Sequence, residues 1–124
     1  MSTPDLTVTP RPLFLTDQSD PDADRYVFSY QIEIANQSAM RVQLMSRYWL
    51  ITHGSGRVEE VVGEGVVGQQ PVIDAGSAYR YSSGAILESP VGTMEGHYVL
   101  IDDAGREFQL MIPRFRLCMP GIIH

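Results

Sequence analysis

Apolar residues fall at every second position along much of this chain. Tyr26, Phe28, Tyr30, Ile32 and Ile34 alternate with Ser29, Gln31 and Glu33, the period of a strand with one buried and one wet face. Asn36-Gln37-Ser38 marks its end. From Arg41 to Thr52 the apolar residues Val42, Leu44, Tyr48, Trp49, Leu50 and Ile51 occupy both parities. That predicts a central strand covered on both faces, or a bulge midway. His53-Gly54-Ser55-Gly56 reads as a hairpin turn. Val58 to Val67 is β-branched and extended, interrupted by Gly63 and Gly65. Tyr79 and Tyr81 share one face of a short strand. Met94, Gly96, Tyr98 and Leu100 alternate in another, which Asp102-Asp103-Ala104-Gly105 turns back. Phe108, Leu110 and Ile112 then alternate up to Pro113. At the N-terminus Leu6 to Leu15 completes the set, and Pro10 and Pro12 confine it to a sheet edge.

Turns about every ten residues between alternating strands predict one all-β domain over residues 1–124, a β-sandwich of about seven strands with no more than a helical turn. The expected core is Phe28, Ile32, Ile34, Leu44, Trp49, Tyr81, Tyr98, Phe108 and Leu110. A chain of 124 residues is long enough to bury roughly two-thirds of its unfolded surface. No linker, repeat or second domain is visible.

One segment carries the letters of a dinucleotide fingerprint. Val61-Val62-Gly63-Glu64-Gly65-Val66-Val67-Gly68 contains G-x-G-x-x-G, which in a βαβ unit opens a helix whose N-terminus receives a pyrophosphate. Here Pro71 follows at once and Asp74-Ala75-Gly76 makes another turn, with no helical period after it. The dinucleotide reading fails on context. Two accounts of the glycines remain. Gly63, Gly65 and Gly68 form a concave nest of amides for a phosphate- or pyrophosphate-type anion, with Arg47 or Arg80 alongside, or they serve bulges and close backbone contacts. The architectural account is the stronger one.

The net charge of −6 opposes a nucleic-acid role, since a phosphate backbone is repelled at long range. All nine basic residues are arginine, most simply read as surface partners of the acids. No apolar run approaches the roughly 20 residues of a membrane span, and Met1-Ser2-Thr3-Pro4-Asp5 lacks the pattern of a secretory signal. The lone Cys118 excludes an internal disulfide and fits a reducing cytoplasm.

Other chemistry is thin. Asp20, Asp22 and Asp24 alternate in the acidic loop 17–24, but Arg25 stands where a calcium loop needs glycine and Gln31 where it needs glutamate; a solvated loop is the better reading. His53, His97 and His124 have no metal-ligand spacing, and each reads as a surface or structural residue. His97 should project opposite to Met94 and Tyr98. No G-x-S-x-G elbow is present. Expectations are therefore no catalytic residue, no metal and no cofactor. The apolar tail Leu117-Cys118-Met119-Pro120-Gly121-Ile122-Ile123 either tucks onto the core or covers a neighbouring subunit, which leaves a homo-oligomer open.

The ordered motifs resemble those of the ApaG family. They are Tyr26-x-Phe28-x-Tyr30-x-Ile32-x-Ile34-x-Asn36, Val42-Gln43-Leu44-x-x-Arg47-x-Trp49-x-Ile51-Thr52, and Val62-Gly63-x-Gly65-Val66-Val67-Gly68-x-Gln70-Pro71. Ala75-Gly76-x-x-Tyr79-x-Tyr81-x-Ser83, Pro90-x-Gly92-x-Met94-x-Gly96-x-Tyr98, Gly105-x-x-Phe108 and Ile112-Pro113-x-Phe115-x-Leu117 follow. His53 departs from the aspartate or asparagine common in that family. The resemblance implies an immunoglobulin- or fibronectin-III-like sandwich, with Trp49 as its core tryptophan. The family's bacterial members are linked to cobalt and magnesium resistance and take their name from a gene neighbourhood shared with a diadenosine tetraphosphate hydrolase. Related domains in eukaryotic F-box and DNA-polymerase-delta-interacting proteins imply a binding role. A non-enzymatic module for protein partners is the expected function, with weak anion binding at Gly63–Gly68 as the alternative.

Overall fold

A computed structural model describes residues 5–122. Eight strands follow in order: β1 (Leu6–Phe14), β2 (Tyr26–Asn36), β3 (Val42–His53), β4 (Val58–Glu64), β5 (Val72–Ile73), β6 (Ala78–Leu87), β7 (Val91–Asp102) and β8 (Glu107–Cys118). They form two antiparallel sheets. One has the order β1-β2-β6; the other runs β4-β3-β7-β8, with β5 also on β3. The Gln37–Arg41 and Glu88–Pro90 connections pass from one sheet to the other. Two 3-10 turns, Thr16–Gln18 and Pro21–Ala23, lie in the acidic loop.

The alternating positions of β2 fill the space between the sheets. Phe28, Ile32 and Ile34 are buried there against Leu44, Trp49, Met94, Tyr98 and Leu100. Asn36 ends β2 for a stated reason: its amide donates to the Met40 and Ile73 carbonyls at 2.8 and 3.0 Å, and its oxygen accepts from Ser38 N–H. A buried polar side chain is tolerated because each of its groups is matched.

β3 resolves the mixed parity by a bulge. The register to β7 shifts between Leu44 and Ser46, so Val42 and Leu44 face the core before it and Trp49, Ile51 and His53 after it. An extra residue turns every following side chain over.

The expected core needs correction at the far edge. Phe108 and Leu110 are only partly buried against the cluster, whereas Ile112 and Leu117 are buried. β8 lies at the margin of its sheet, where an inward side chain is covered from one flank only. The strand also runs through Pro113 instead of stopping there. Met94 pairs with Phe115 and Gly96 with Ile112, so Pro113 sits in a bulge that asks for no ladder donor. The tail tucks in as far as Met119: Leu117 is buried, and Met119 packs on the cluster and donates its N–H to the Pro90 carbonyl, while Pro120 and Gly121 are exposed and Ile123 lies outside the described residues.

The β7–β8 turn is held by Asp102. Its carboxylate accepts from Arg106 N–H, Ala104 N–H and the Arg106 guanidinium at 3.0, 2.9 and 3.0 Å. The Arg106 backbone bond is the largest influence holding its pKa below the usual value, with Ala104 and the guanidinium adding to it against burial. A depressed folded-state pKa contributes stability above the unfolded pKa, and that stability is lost as pH falls through the folded one. Asp102→Asn should therefore flatten part of the decline in stability below about pH 4. Urea midpoints of both proteins at pH 6 and pH 3 check this; an unchanged pH slope removes Asp102 as its source.

Candidate functional site

Arg47 is the anomaly of the interior. After the β3 bulge it shares the inward face with Trp49 and Ile51, and its cross-strand partner is Gly63. An ideal Cβ on Gly63 would lie 2.8 Å from the guanidinium. The missing side chain is the space in which Arg47 lies flat. From there Nη1 donates to the Glu64 and Gly65 carbonyls at 3.1 and 2.9 Å. Among the described residues no carboxylate pairs with it, in contrast to Arg41, Arg57, Arg80 and Arg106.

Around Arg47 is a polar pocket of about 180 Å³, lined by Tyr30, Trp49, Val66, Val67, Gly68, Tyr81 and Ser83. Tyr30 and Tyr81 face Arg47 from the other sheet, and the Tyr81 phenol is bonded to that of Tyr98. Burial raises the pKa of Tyr30, Tyr81 and Tyr98, while the Arg47 charge opposes the rise at each. The phenols are neutral and present dipoles. A half-buried cation among hydroxyls has the donors to bond a carboxylate or phosphate oxygen.

The glycine segment has separate duties. Gly65 has φ +62, and a Cβ there would lie 2.1 Å from the Gln69 carbonyl oxygen. Val66 and Gln69 exchange both backbone bonds around Val67 (φ 49) and Gly68 (φ 77), a tight turn with positive φ at both central positions. The amides of Gly65, Val66 and Gln69 are thereby committed to carbonyls within the protein. The structure thus brings Arg47 together with Gly63, Gly65 and Gly68. It does not bring Arg80. That side chain projects from the outer face of β6 and pairs with Glu33 at 2.6 Å, because neighbouring strand residues point to opposite faces.

Below the pocket, along the same side of the sandwich, lies a larger groove of about 540 Å³ lined by Gln18, Arg25, Val27, Ile51, Glu59, Val61 and Gly84 to Ile86. The opposite side is closed where β1 lies against β8. The groove is flanked by β4 and β6, the margins of the two sheets.

The edges are not equally defended. Leu15 N–H bonds the Val27 carbonyl, so in the antiparallel alternation Pro10 and Pro12 stand at outward positions of β1. Each removes a donor from that edge. β4 carries Glu59, Glu60 and Glu64, and β8 carries Pro113, Arg114 and Arg116. On β6 the Asn36 N–H bond to the Ser77 carbonyl fixes the phase: Ser82, Gly84 and Ile86 turn their N–H and C=O groups outward. From Tyr81 to Leu87 the strand has neither charge nor proline. Such a strand is a template for another chain.

His53 and His97 take structural places, and His124 lies outside the described residues. His53 is buried; its Nδ1 accepts from Glu88 N–H at 3.2 Å and its Nε2 lies 2.6 Å from Glu59. With both nitrogens committed, it ties β3 and β4 to the β6–β7 turn. His97 stacks on Tyr48 on the outer face, opposite to Met94 and Tyr98 as its parity predicts. Asp20, Asp22 and Asp24 are all exposed. In the sequence Arg47 is a candidate site residue only by its association with the glycines. The bulge that turns it inward was visible in the mixed parity of β3, but its position was not.

Two sheets with an open side, one unguarded edge and an inward arginine define a β-sandwich domain with a candidate recognition groove. The ApaG domain model matches residues 16–102, and the chain belongs to that family. It is 50% identical over 124 residues to "Protein ApaG" of Pectobacterium carotovorum, covering 100% of this chain and 99% of that one. It is 55% identical to the protein of that name from Proteus mirabilis over 112 residues, 90% of each chain. The crystal structure of the putative ApaA protein from Bordetella pertussis matches with a TM-score of 0.93 at 44% identity, covering 96% of this chain and 97% of that one. Among the described residues no helix is long and apolar enough to cross a membrane.

Proposed function

We propose that this domain is a non-enzymatic module that binds protein, receiving an extended segment of its partner along β6. The carrying observation is the outward backbone of Ser82, Gly84 and Ile86 on a strand without charge or proline from Tyr81 to Leu87. Strand addition draws its affinity from these main-chain groups, and neighbouring pockets choose the side chains. The sheet orders β1-β2-β6 and β4-β3-β7-β8 support a fibronectin-III-like reading, an architecture common among cell-surface domains. Fold alone does not carry the function. The single cysteine supports a reducing, cytoplasmic setting.

Proline at Ser82 or Gly84 removes an outward donor while leaving the bonds to β2 intact. Native complexes captured by the wild-type protein should be lost with either variant, with Tm lowered by only a few degrees. Retention of the partner by both folded variants would sink the strand-addition reading. Reproducible turnover of a nucleotide or phosphoester, lost on a point change, would sink the non-enzymatic one.

A second reading is favoured by Arg47, which has no carboxylate partner among the described residues: a free phosphate-type anion held in its pocket. With the amides of Gly65, Val66 and Gln69 spent internally, the donors would be Arg47, the hydroxyls and the tip of the turn. The negative net charge predicts weak, salt-sensitive binding. Pyrophosphate titration followed by amide NMR tests it; stationary Gly63, Gly65 and Gly68 signals at millimolar ligand in low salt exclude it.

A further inference from the structure

We infer that the Arg47 pocket reads an acidic side chain, Asp or Glu, of the peptide added along β6, and that an aliphatic side chain two positions away enters the adjoining groove. This deepens the strand-addition reading and rests on it. The argument is one of register. Residues directly opposite each other in neighbouring strands project to the same face. Tyr81 and Ser83 both line the Arg47 pocket, so a peptide residue lying opposite either of them sends its side chain toward the guanidinium. Two residues along, the peptide lies opposite Ala85, and its side chain meets Ile51 and Val61 in the groove. The two cavities follow one another at strand spacing along β3 and β6, with Arg47, Trp49 and Ile51, and Ser83 and Ala85, as successive walls.

Charge decides the first side chain. Arg47 keeps Nη2 and Nε beyond its two backbone carbonyl bonds, and those carbonyls attract the cation without neutralising it. A carboxylate supplies the missing charge and accepts two parallel bonds from a guanidinium. Tyr30, Ser83 and Tyr81 surround the place with hydroxyls that satisfy its remaining lone pairs. The acidic surface does not forbid this, because exposed charges are screened within about 8 Å at physiological salt.

The test is selection of random nonapeptides displayed on phage against the folded full chain, followed by anisotropy titration of the best synthetic peptide and its Asp→Asn or Glu→Gln analogue. Enriched peptides should carry an acid two positions from Val, Ile or Leu. The amide analogue should bind at least ~10-fold more weakly, and on Arg47→Gln the two peptides should bind alike. Because Arg47→Gln also removes bonds to the turn, Tyr30→Phe and Ser83→Ala serve as second variants, expected to narrow the acid preference with the fold checked by NMR. Peptides that shift Ser82, Gly84 and Ile86 without any acid preference overturn the carboxylate inference while leaving strand addition standing. Peptides seated elsewhere, or none enriched, overturn both. Acetate or inorganic phosphate moving Ser83 and Gly68 at lower concentration than the peptide makes this a free-anion pocket and overturns the inference. So does self-association lost on Gly84→Pro, which makes a second copy the occupant.

Discussion

Trp49→Ala is expected to lower the stability of the domain by about 4 kcal/mol, within the range for truncating a buried tryptophan. Trp49 is 2% exposed and stands edge-on to Tyr30, Tyr98 and Phe115, with ring centroids 5.5, 6.4 and 5.9 Å away. Each such aromatic pair adds about 0.5–1.5 kcal/mol beyond simple burial. The three neighbours come from β2, β7 and β8, so the indole joins the two sheets and its loss opens a cavity that neither can collapse into. Against a total stability of about 5–15 kcal/mol for such domains, the variant approaches unfolding at physiological temperature. Tm should fall by roughly 15 °C. Thermal circular dichroism measures this without relying on the fluorescence that the substitution abolishes. Trp49→Phe keeps most of the packing and should lose less than half as much. A loss below ~1 kcal/mol for the alanine variant, small against that expectation, would show that Trp49 is not the link between the sheets.

Most of this architecture was legible in residue order. The alternation from Tyr26 to Ile34 predicted β2, and the prolines at 10 and 12 predicted an edge strand. Asp102 to Gly105 predicted the last hairpin. What escaped was phase. The mixed parity of β3 allowed a bulge or two covered faces, and only the pairing partners place the shift between Leu44 and Ser46. Until it is placed, the direction of every later side chain on β3 is undetermined, Arg47 included. Pro113 misled similarly: proline is a reason to end a paired strand, and the bulge that excuses it involves Met94 and Gly96, distant in sequence. The edge of β6 had a readable composition. Its significance needed the sheet order, since the same residues in a central strand would meet a partner on both sides.

Candidate site residues were legible in chemistry and not in assembly. Arg47 and Arg80 are the same residue type near the same glycines in a linear reading. In the structure one lies between the sheets and the other lies outside, paired with Glu33. Unpaired charge inside a fold is costly unless it is hydrogen-bonded or awaits a partner. That separates the two arginines more sharply than any motif does.

The three glycines of the segment should separate in the same way, with the largest loss at Gly65. Gly65→Ala places a Cβ 2.1 Å from the Gln69 carbonyl oxygen and holds an alanine at φ +62. Left-handed backbone costs a non-glycine residue about 1–2 kcal/mol, and forcing an atom into packed surroundings adds about 1–3 kcal/mol. A loss of about 3 kcal/mol is therefore expected. The obstacle is backbone on the facing arm of the turn and cannot swing aside as a side chain does. Gly68→Ala meets open space at φ +77 and should lose only the conformational part, about 1 kcal/mol. At Gly63 the obstacle is the flexible end of Arg47, so Gly63→Ala should cost less than Gly65→Ala while moving the guanidinium from its place. Urea unfolding of the three variants gives the order in stability, and acidic-peptide titration gives the order in binding. Gly63→Ala should lead in lost acid preference per unit of lost stability, because only there does the new methyl compete with the arginine. Equal losses at all three positions would mean that the segment responds as one rigid turn, with no separate place kept open for Arg47.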